Sequence, residues 1–492
     1  MELHLNIEGS KDLTGQVYRQ LSEAIRSGRL ADGQLVPPTR LLAQQLGISR
    51  KPVAEAYQRL VYDKLLVGRA GRGTYVSAPR KAPPSLADAP LALARPAAGV
   101  ALASQATLAR WEGLASPFRQ PPLGAKPQFD FIGGAPAPQH FPQDDWRRCV
   151  LHGLRQDSLQ RGRYTATEGV PALREALARH AAFARGINCG AAQLIVTNGA
   201  QQALDLLGRV LLEPGSCVAL EDPGYPVARL LFQSQGARVA HVPVDAEGIV
   251  VDAIPDDARL IYVTPAHQFP LGMPMSVARK QALLARAQAI GAIIVEDDYD
   301  SEFRYEGRPT DSLQSMDTQG IVAFIGSLSK VVLPELRIGY VAAPLAILEA
   351  LKVAKHLADW HTATMVQHAL ARFIDDGCLL RHIRRGHDIY ATRREELQRA
   401  FASELAPWFA LVPAVAGFHV AAFARRPVDI ALLIRLARRA GVGLYALGGF
   451  YTVAPPREGL FMGYGAIDTL DIAPALARVR DILLHMDESA AG

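Results

Sequence analysis

The chain has 492 residues, of which 49% are hydrophobic and 21% are charged, as in soluble globular proteins of two or three domains. No apolar run is long enough to cross a bilayer, and we expect no signal peptide because the N-terminus lacks a basic region followed by an apolar one. The four cysteines are scattered without metal-ligand spacing, which suits a reducing cytoplasm. The net charge of +5 allows nucleic-acid binding without arguing for it.

Near the N-terminus the sequence has the pattern of a helix-turn-helix. Periodic apolar positions predict helices at 16–27, 40–46 and 50–64. A proline pair precedes Thr39, the expected N-cap of the second helix, and Ser49 is the expected N-cap of the third. The residues alone leave open some other small three-helix domain.

Two places in this segment are expected to contact DNA. The second helix of a helix-turn-helix motif enters the major groove by its N-terminal end. Extended stretches within 65–76 flank a tip rich in glycine and arginine, which predicts a β-hairpin wing. Polar and cationic side chains at both places can bond phosphates and base edges. The residues predicted to contact DNA are Arg40, Ser49, Arg50, Lys51, Arg69 and Arg72.

A change of composition to alanine, proline and leucine then predicts a linker, with a short helix at about 102–111. Three segments are therefore expected: a DNA-binding domain at 11–78, the linker at 79–128 and an effector domain at 129–492. The effector domain is expected to have a large part at about 160–345 and a small C-terminal part at about 366–490.

The effector domain begins as an alternation of apolar strands and helices. The predicted strands are 194–197, 217–221, 238–242, 260–264, 292–297, 321–325 and 339–342, and the predicted helices are 200–212, 227–235 and 277–290. Alternation of this kind predicts a mostly parallel sheet with helices on both faces. Ligands of such α/β sheets bind beyond the C-terminal ends of the strands. After about residue 345 the pattern is mainly helical.

The strongest chemical motif centres on Lys330. An apolar strand runs into Ser327 and Ser329, and Arg337 precedes the next strand. Burial among apolar strands lowers the pKa of a lysine, and a neutral amine can form a Schiff base with an aldehyde. The two serines and the arginine are groups that can hold a phosphate, so the motif predicts pyridoxal 5′-phosphate (PLP) as cofactor. Taken alone, the stretch leaves open a solvated lysine in a loop.

Other segments that follow strands can contact the same ligand. The amides of Gly199, Ala200 and Gln201 open a helix, and a helix N-terminus attracts phosphate. Tyr225 lies on a turn and could stack on a flat heterocycle. The alternatives are an ordinary strand-to-helix turn and a packed loop tyrosine.

An acidic segment ends the strand at 292–297. Asp297, expected as the last strand residue, could pair with a protonated pyridine nitrogen, and Tyr299 could donate to a phenolic oxygen. The alternative is a solvated acidic face. His267, in a neighbouring loop, either contacts the cofactor or orders that loop.

These motifs resemble those of two known families. Residues 37–50 (Pro-Pro-Thr-Arg-Leu-Leu-Ala-Gln-Gln-Leu-Gly-Ile-Ser-Arg) and 71–76 resemble the winged-helix domain of the GntR family. Segments 221–225 (Glu-Asp-Pro-Gly-Tyr), 296–305 and 326–330 (Gly-Ser-Leu-Ser-Lys) resemble a fold-type I aminotransferase. Their combination resembles the MocR family of bacterial transcriptional regulators. The implied fold is an α+β winged helix joined to an α/β, PLP-dependent aminotransferase-like domain.

The resemblance also implies roles for the site residues. It implies that Lys330 forms the Schiff base, Asp297 binds the pyridine nitrogen, Tyr299 binds the phenolate and Tyr225 stacks on the ring. A phosphate cup is implied from Ser327, Ser329 and Arg337. The implied assembly is a head-to-tail homodimer in which each DNA-binding domain packs on the partner's aminotransferase-like part.

One segment departs from the family pattern. Aminotransferases and amino-acid-sensing family members hold the ligand carboxylate with a C-terminal arginine. The corresponding segment here, 459–464 (Gly-Leu-Phe-Met-Gly-Tyr), contains none, and Arg457 lies just upstream. The departure argues against GABA or another simple amino acid as effector.

The leading interpretation is a PLP-dependent DNA-binding regulator. PLP, or its adduct with a small amine, would change the placement of the two winged helices in a dimer on double-stranded operator DNA. One alternative is a PLP-dependent aminotransferase with an appended DNA-binding domain, although we expect at most weak transaminase activity. Another is a repressor whose aminotransferase fold only dimerises.

Overall fold

The computed structural model describes residues 5–7, 9, 12–69, 71–77, 111–114, 127–159, 162–306, 311–453 and 458–491. The chain forms two compact units, residues 1–104 and 105–492, and each is described by itself. Most of the predicted linker at 79–128 lies outside the described residues, as does residue 457. The helix predicted at 102–111 lies outside them except for its last residue.

The N-terminal unit is a winged helix. Its elements in chain order are α1 (Leu13–Arg26), β1 (Leu35–Val36), α2 (Thr39–Gln45), α3 (Arg50–Tyr62), β2 (Leu66–Arg69) and β3 (Gly73–Val76). The strands form an antiparallel sheet in the order β1–β3–β2. Val17, Leu42 and Val53, one from each helix, have no exposed surface and form the centre of a small apolar core. The three predicted helices and the hairpin are confirmed, with slightly different ends.

The predicted N-cap of the second helix is wrong. Helix α2 begins at Thr39 itself, and Pro38 takes the N-cap position with an extended backbone. Ser49 does occupy the N-cap position of α3, but its side chain makes no capping hydrogen bond. Proline fixes its own φ and disfavours a helical residue before it, so the proline pair sets the start of α2.

The larger unit is built on an eight-stranded sheet. Its elements up to the last strand of that sheet are β4 (Phe129–Asp130), α4 (Gln143–Leu159), α5 (Pro171–Arg185), β5 (Leu194–Thr197), α6 (Ala200–Leu211), β6 (Cys217–Asp222), α7 (Pro226–Ser234), β7 (Arg238–Asp245), β8 (Gly248–Ile249), β9 (Ala258–Val263), α8 (Val277–Ile290), β10 (Ile293–Asp298), α9 (Leu313–Met316), β11 (Val322–Ser327) and β12 (Gly339–Ala342). The strand order is β5–β12–β11–β10–β9–β6–β7–β8. Strands β7, β6, β9, β10 and β11 are mutually parallel, which confirms the mostly parallel sheet.

The remaining elements form a smaller α/β part. They are α10 (Leu345–Asp359), α11 (Thr364–Asp375), α12 (Cys378–Glu404), β13 (Phe409–Leu411), β14 (His419–Ala424), α13 (Ile430–Arg439), β15 (Val442–Gly443), β16 (Tyr445–Ala446), β17 (Gly459–Gly463) and α14 (Thr469–Ala491). Strands β13, β14, β17 and β16 form an antiparallel sheet, and β15 pairs with β4.

Both faces of the large sheet are covered, because successive strand residues point to opposite faces. On β9, Leu260 and Tyr262 pack in one cluster with side chains of α6, α7 and α10, whereas Ile261 and Val263 pack in another with side chains of α8. No helix among the described residues combines the length and apolar character that crossing a membrane would require.

Strand direction decides where the functional loops lie. Strand β12 is antiparallel to both of its neighbours, β11 and β5, so these two run the same way. The C-terminal ends of β5, β6, β9, β10 and β11 therefore share one edge of the sheet with the N-terminal end of β12. In the register of the sheet, Gly339 pairs with both Thr197 and Ser327. This edge is called the cofactor edge below.

Candidate functional site

Lys330 follows β11 at the cofactor edge. Its Nζ donates to the carbonyl oxygen of Gly134 at 2.6 Å. The side chain is half-buried. Burial lowers the pKa of Lys330, nearby Arg337 lowers it further, and the carboxylates of Asp300 and Asp297 oppose the shift. Its ammonium therefore loses a proton more readily than that of an ordinary lysine, as a nucleophilic amine requires.

Asp297 lies on the neighbouring strand, β10, which ends one residue later than the sequence predicted. Its side chain is 5% exposed, and its Oδ2 accepts from the Tyr262 hydroxyl at 2.7 Å. Its Oδ1 has no hydrogen-bond partner in the part of the chain that the structure describes. Burial raises the pKa of Asp297 to about 6. A buried acceptor of this kind suits a cationic N–H donor, such as a protonated pyridine.

The next carboxylate has a different environment. Asp298 points to the opposite face of the sheet, where its Oδ2 lies 2.5 Å from Nε of Arg185 on α5. The acidic segment is therefore not a solvated face, since both carboxylates are buried. Strand alternation separates their roles, with one facing Tyr262 and the other forming an ion pair.

Tyr299 and His267 pack against each other. Their ring centroids are 4.4 Å apart, and the Tyr299 hydroxyl donates to the backbone oxygen of His267 at 3.2 Å. Nε2 of His267 lies 2.7 Å from Oδ1 of Asp300, with both side chains buried. These contacts fit the loop-ordering alternative for His267 and place Tyr299 beside it.

His419, the first residue of β14, is a site residue that the sequence analysis missed. It is buried, and its ring lies 5.6 Å from that of His267 and 6.2 Å from that of Tyr299. Burial, together with the nearby charge of Lys330, lowers the pKa of His419 to about 4 against an opposing effect of Asp300. The imidazole is therefore neutral at neutral pH. The sequence contains one signal that could have identified His419: it is a polar residue inside an apolar strand, in the segment Gly-Phe-His-Val-Ala-Ala-Phe (417–423).

Tyr225 lies on the loop after β6 and takes the N-cap position of α7. Burial and the charge of Asp297 raise the pKa of its phenol to about 12, against an opposing effect of Arg337. The ring therefore stays protonated and lies near both charged groups. It meets the ring of Phe269 edge-on at 5.8 Å.

Glu221 joins the loops after β6 and β9. Its Oε2 accepts from the hydroxyl and the amide of Thr264 at 2.7 and 3.2 Å. Gln268 donates to the backbone oxygen of Pro223 at 2.7 Å, which ties the same two loops again. Burial raises the pKa of Glu221 to about 7. This tie was missed because it joins residues far apart in the sequence.

The residues of the predicted phosphate cup lie together where β5, β12 and β11 meet. Arg337 lies against Gly199, since a Cβ added at that glycine would be 2.8 Å from Nη2 of the arginine. The same nitrogen donates to the backbone oxygen of Asn198 at 3.2 Å. Gly199 has φ +78° and precedes α6, whose first-turn amides, including those of Ala200 and Gln201, lack intrahelical acceptors.

Two serines complete this cup. The backbone amide of Ser329 donates to the hydroxyl of Ser327 at 3.3 Å, and both residues are 9% exposed. Amides at a helix N-terminus, hydroxyls and a guanidinium together make a strong anion site. Every residue predicted to contact the cofactor therefore lies at or beside the cofactor edge.

The winged helix presents the predicted DNA contacts on its surface. All six predicted residues are exposed, namely Arg40, Ser49, Arg50, Lys51, Arg69 and Arg72. Nε of Arg50 donates to the hydroxyl of Thr39 at 3.2 Å, which joins the N-terminal ends of α2 and α3. The guanidinium of Arg69 lies 4.8 Å from the centre of the Tyr75 ring in the hairpin.

Comparison with known proteins accounts for both units. Residues 13–76 match the family of bacterial regulatory proteins called gntR, and residues 137–458 match aminotransferase class I and II. The kynurenine aminotransferase of Pyrococcus horikoshii, solved in complex with PMP, superposes with a TM-score of 0.68 at 26% identity. It covers 73% of this chain, and this chain covers 91% of it. Such a fold implies dependence on PLP.

Two curated relatives match along nearly the whole chain. The probable rhizopine catabolism regulatory protein MocR of Rhizobium meliloti is 32% identical over 97% of this chain and 94% of its own length. The HTH-type transcriptional regulator TauR of Rhodobacter capsulatus is 33% identical over 96% of each. The chain therefore belongs to the MocR family of bacterial transcriptional regulators, in which a GntR-type winged helix precedes an aminotransferase-like domain.

Proposed function

We propose that this regulator binds PLP through Lys330 and that PLP, alone or combined with a small amine, changes how a homodimer binds operator DNA. The observation that carries the proposal is the pair formed by Lys330 and Asp297. One is an amine whose pKa burial lowers, and the other is a buried carboxylate whose Oδ1 lacks a partner among the described residues. They lie at one edge of one sheet, together with groups suited to a phosphate.

Each residue then has a physical task. Asp297 would accept a hydrogen bond from the pyridinium N–H and keep that nitrogen protonated, Tyr225 would cover the ring, and Tyr299 would donate to the phenolic oxygen. Ser327, Ser329, Arg337 and the first amides of α6 would neutralise the phosphate. When bound, PLP supplies an electrophilic carbonyl carbon that amines can add to. The lowered pKa of Lys330 keeps its nitrogen available to that carbon.

The DNA-binding task falls to the exposed cations of the winged helix. Arg50 and Lys51 at the start of α3 would enter the major groove, and the hairpin cations Arg69 and Arg72 would reach the backbone or minor groove. We place the head-to-tail dimer in the cytoplasm, where its two winged helices would meet two operator half-sites.

A rival function is transamination, which the cofactor residues alone would support. The segment expected to hold a carboxylate-binding arginine is β17, and its residues are Gly-Leu-Phe-Met-Gly (459–463). Substrate carboxylates would therefore lack their usual partner in this strand, so we expect sensing in place of turnover.

The test is a visible absorption spectrum of the full-length protein with PLP, followed by titration with amines and by DNA binding under the same conditions. The proposal expects a band for the Lys330-bound cofactor and a change in DNA affinity when PLP or an amine is added. Release of a keto acid with conversion to pyridoxamine phosphate would favour the enzyme. Absence of any PLP band would overturn the proposal.

A further inference from the structure

The backbone that Lys330 contacts is covered by an aromatic ring from β17, the segment in which aminotransferases carry an arginine. Lys330 donates to the carbonyl oxygen of Gly134, and the preceding residue, Gly133, packs against Phe461 of β17. A Cβ added at Gly133 would lie 2.0 Å from Cε1 of Phe461, so the ring lies directly on this backbone. Phe461 itself is 4% exposed.

Phe461 belongs to a group of four packed rings. Its centroid lies 4.8 Å from that of Phe450, 4.9 Å from that of His419 and 5.7 Å from that of Phe269. Phe269 also contacts the other two rings, with its centroid 5.2 Å from that of Phe450 and 5.7 Å from that of His419. We call Phe269, His419, Phe450 and Phe461 the aromatic cluster.

The aromatic cluster adjoins the cofactor residues on two sides. Phe269 meets the rings of Tyr225 and Tyr299 edge-on, at 5.8 and 5.6 Å. The loop that carries Tyr225 is tied to Phe450, because the amide of Gly224 donates to the Phe450 backbone oxygen at 3.1 Å. A substituent on a molecule bound at Lys330 would therefore extend towards aromatic rings.

The cluster contributes no positive charge. Three of its members are phenylalanines, and the imidazole of His419 is neutral because burial lowers its pKa to about 4. The guanidinium of Arg337 is engaged at Gly199 and Asn198, in the phosphate cup. A carboxylate placed among these rings would lose its water without gaining a cationic partner from the cluster, which is unfavourable. An apolar or aromatic substituent would be favoured there.

We infer that Phe461 makes the effector subsite select primary amines with an apolar or aromatic substituent and no carboxylate. This inference rests on the proposed function and names the effector class for the same site. Replacement of Lys330 by the incoming amine on the cofactor's carbon needs no oxidant. The cofactor's carbon would form a double bond to the incoming nitrogen as its double bond to Lys330 Nζ breaks, and two protons would pass from the incoming nitrogen to Nζ.

The experiment titrates PLP-loaded, full-length protein with 2-phenylethylamine and with L-phenylalanine, which differ only by the carboxylate. The measurement is the shift of the cofactor absorbance band and the dissociation constant it gives. We expect the amine to bind at least about 100-fold more tightly than the amino acid, because the aromatic cluster offers the buried carboxylate no cation. Equal or tighter binding of the amino acid would overturn the inference, and so would a band that neither compound shifts.

Two variants sharpen the result. Phe461→Arg should reverse the preference towards L-phenylalanine, whereas Phe461→Leu, which keeps the subsite apolar, should retain the preference for the amine. If Phe461→Arg fails to fold, the comparison of 2-phenylethylamine with L-phenylalanine in the unsubstituted protein still tests the inference. Failure of the proposed function has a different signature, because then no PLP band forms before any amine is added.

Discussion

The cofactor edge and the DNA-binding surface present charge in contrasting ways. Around Lys330 the carboxylates of Glu221, Asp297 and Asp300 are at most 5% exposed, and burial raises the pKa of the first two. In the winged helix, all six predicted DNA contacts are exposed. Buried groups act through fixed geometry in a low dielectric, whereas exposed cations act through attractions that salt screens. Substitutions at the cofactor edge should therefore have large, pH-sensitive effects on PLP binding or stability. Substitutions in the winged helix should have smaller, salt-sensitive effects on DNA affinity.

The largest effect is expected from Lys330→Ala. Without the amine no covalent link to PLP can form, so borohydride reduction followed by mass spectrometry should find no modified lysine peptide. Lys352→Ala is the matched control, since Lys352 pairs with Glu349 at 2.8 Å on α10, which is outside the cofactor edge. A reducible lysine adduct that survives in Lys330→Ala would show that another lysine carries the cofactor.

Asp297→Asn should weaken PLP binding by about 100-fold, since a neutral amide cannot balance a pyridinium. Equilibrium titration followed by absorbance gives the affinity. Asp298→Asn is the control on the opposite face: loss of its ion pair with Arg185 should lower stability while PLP affinity stays near that of the unsubstituted protein. Equal losses of affinity in both variants would contradict the assignment of Asp297 alone to the ring nitrogen.

Glu221→Gln should change how stability depends on pH. The folded-state pKa of Glu221 is raised from 4.5 to about 7, so its contribution is fully present below pH 4.5 and is lost as pH rises through about 7. Glutamine stays neutral, and its oxygen can keep the bonds to Thr264. Over this interval the variant should gain, relative to the unsubstituted protein, on the order of 3 kcal/mol in free energy of unfolding. Urea denaturation of the PLP-free protein measures it, and a pH-independent difference would contradict the prediction.

Arg50→Ala should weaken operator binding by about 10-fold and leave PLP uptake unchanged. The slope of log affinity against log salt should fall by about one if the lost contact is to phosphate. Fluorescence anisotropy with promoter DNA measures both quantities. Arg29→Ala is the control, because Arg29 lies 3.9 Å from Glu23 and outside the predicted contacts. Unchanged DNA affinity in Arg50→Ala would mean that another element reads the groove.

Local patterns predicted most of the fold. The strands at 194–197 and 339–342 and the helix at 277–290 have the observed ends, because apolar runs and flanking turn residues are encoded locally. The prediction of Thr39 as an N-cap was wrong because a competing local signal, the proline pair, determined where the helix begins. The family's winged-helix and aminotransferase-like units were identified from motifs that stay contiguous in sequence.

The interactions that build the site were harder to predict, because they join distant parts of the chain. The hydrogen bond from Lys330 to Gly134 spans 196 positions, and that from Thr264 to Glu221 spans 43. His419 comes from a different sheet of the smaller part. No local pattern encodes which loops meet. The sequence therefore identified site residues that follow each strand, but not the residues from other parts of the chain that they contact.

The hydrogen bond between Lys330 and Gly134 has a consequence for the peptide that follows β4. If Lys330 Nζ formed a double bond to the carbon of a bound aldehyde, it would have fewer N–H groups to offer than a free ammonium, so the Gly134 carbonyl and the ligand would compete for the same atom. Gly134 follows β4, the first strand of the larger unit after the predicted linker. The chemical state of one lysine would thus be felt as a gain or loss of a hydrogen bond by the peptide that follows β4.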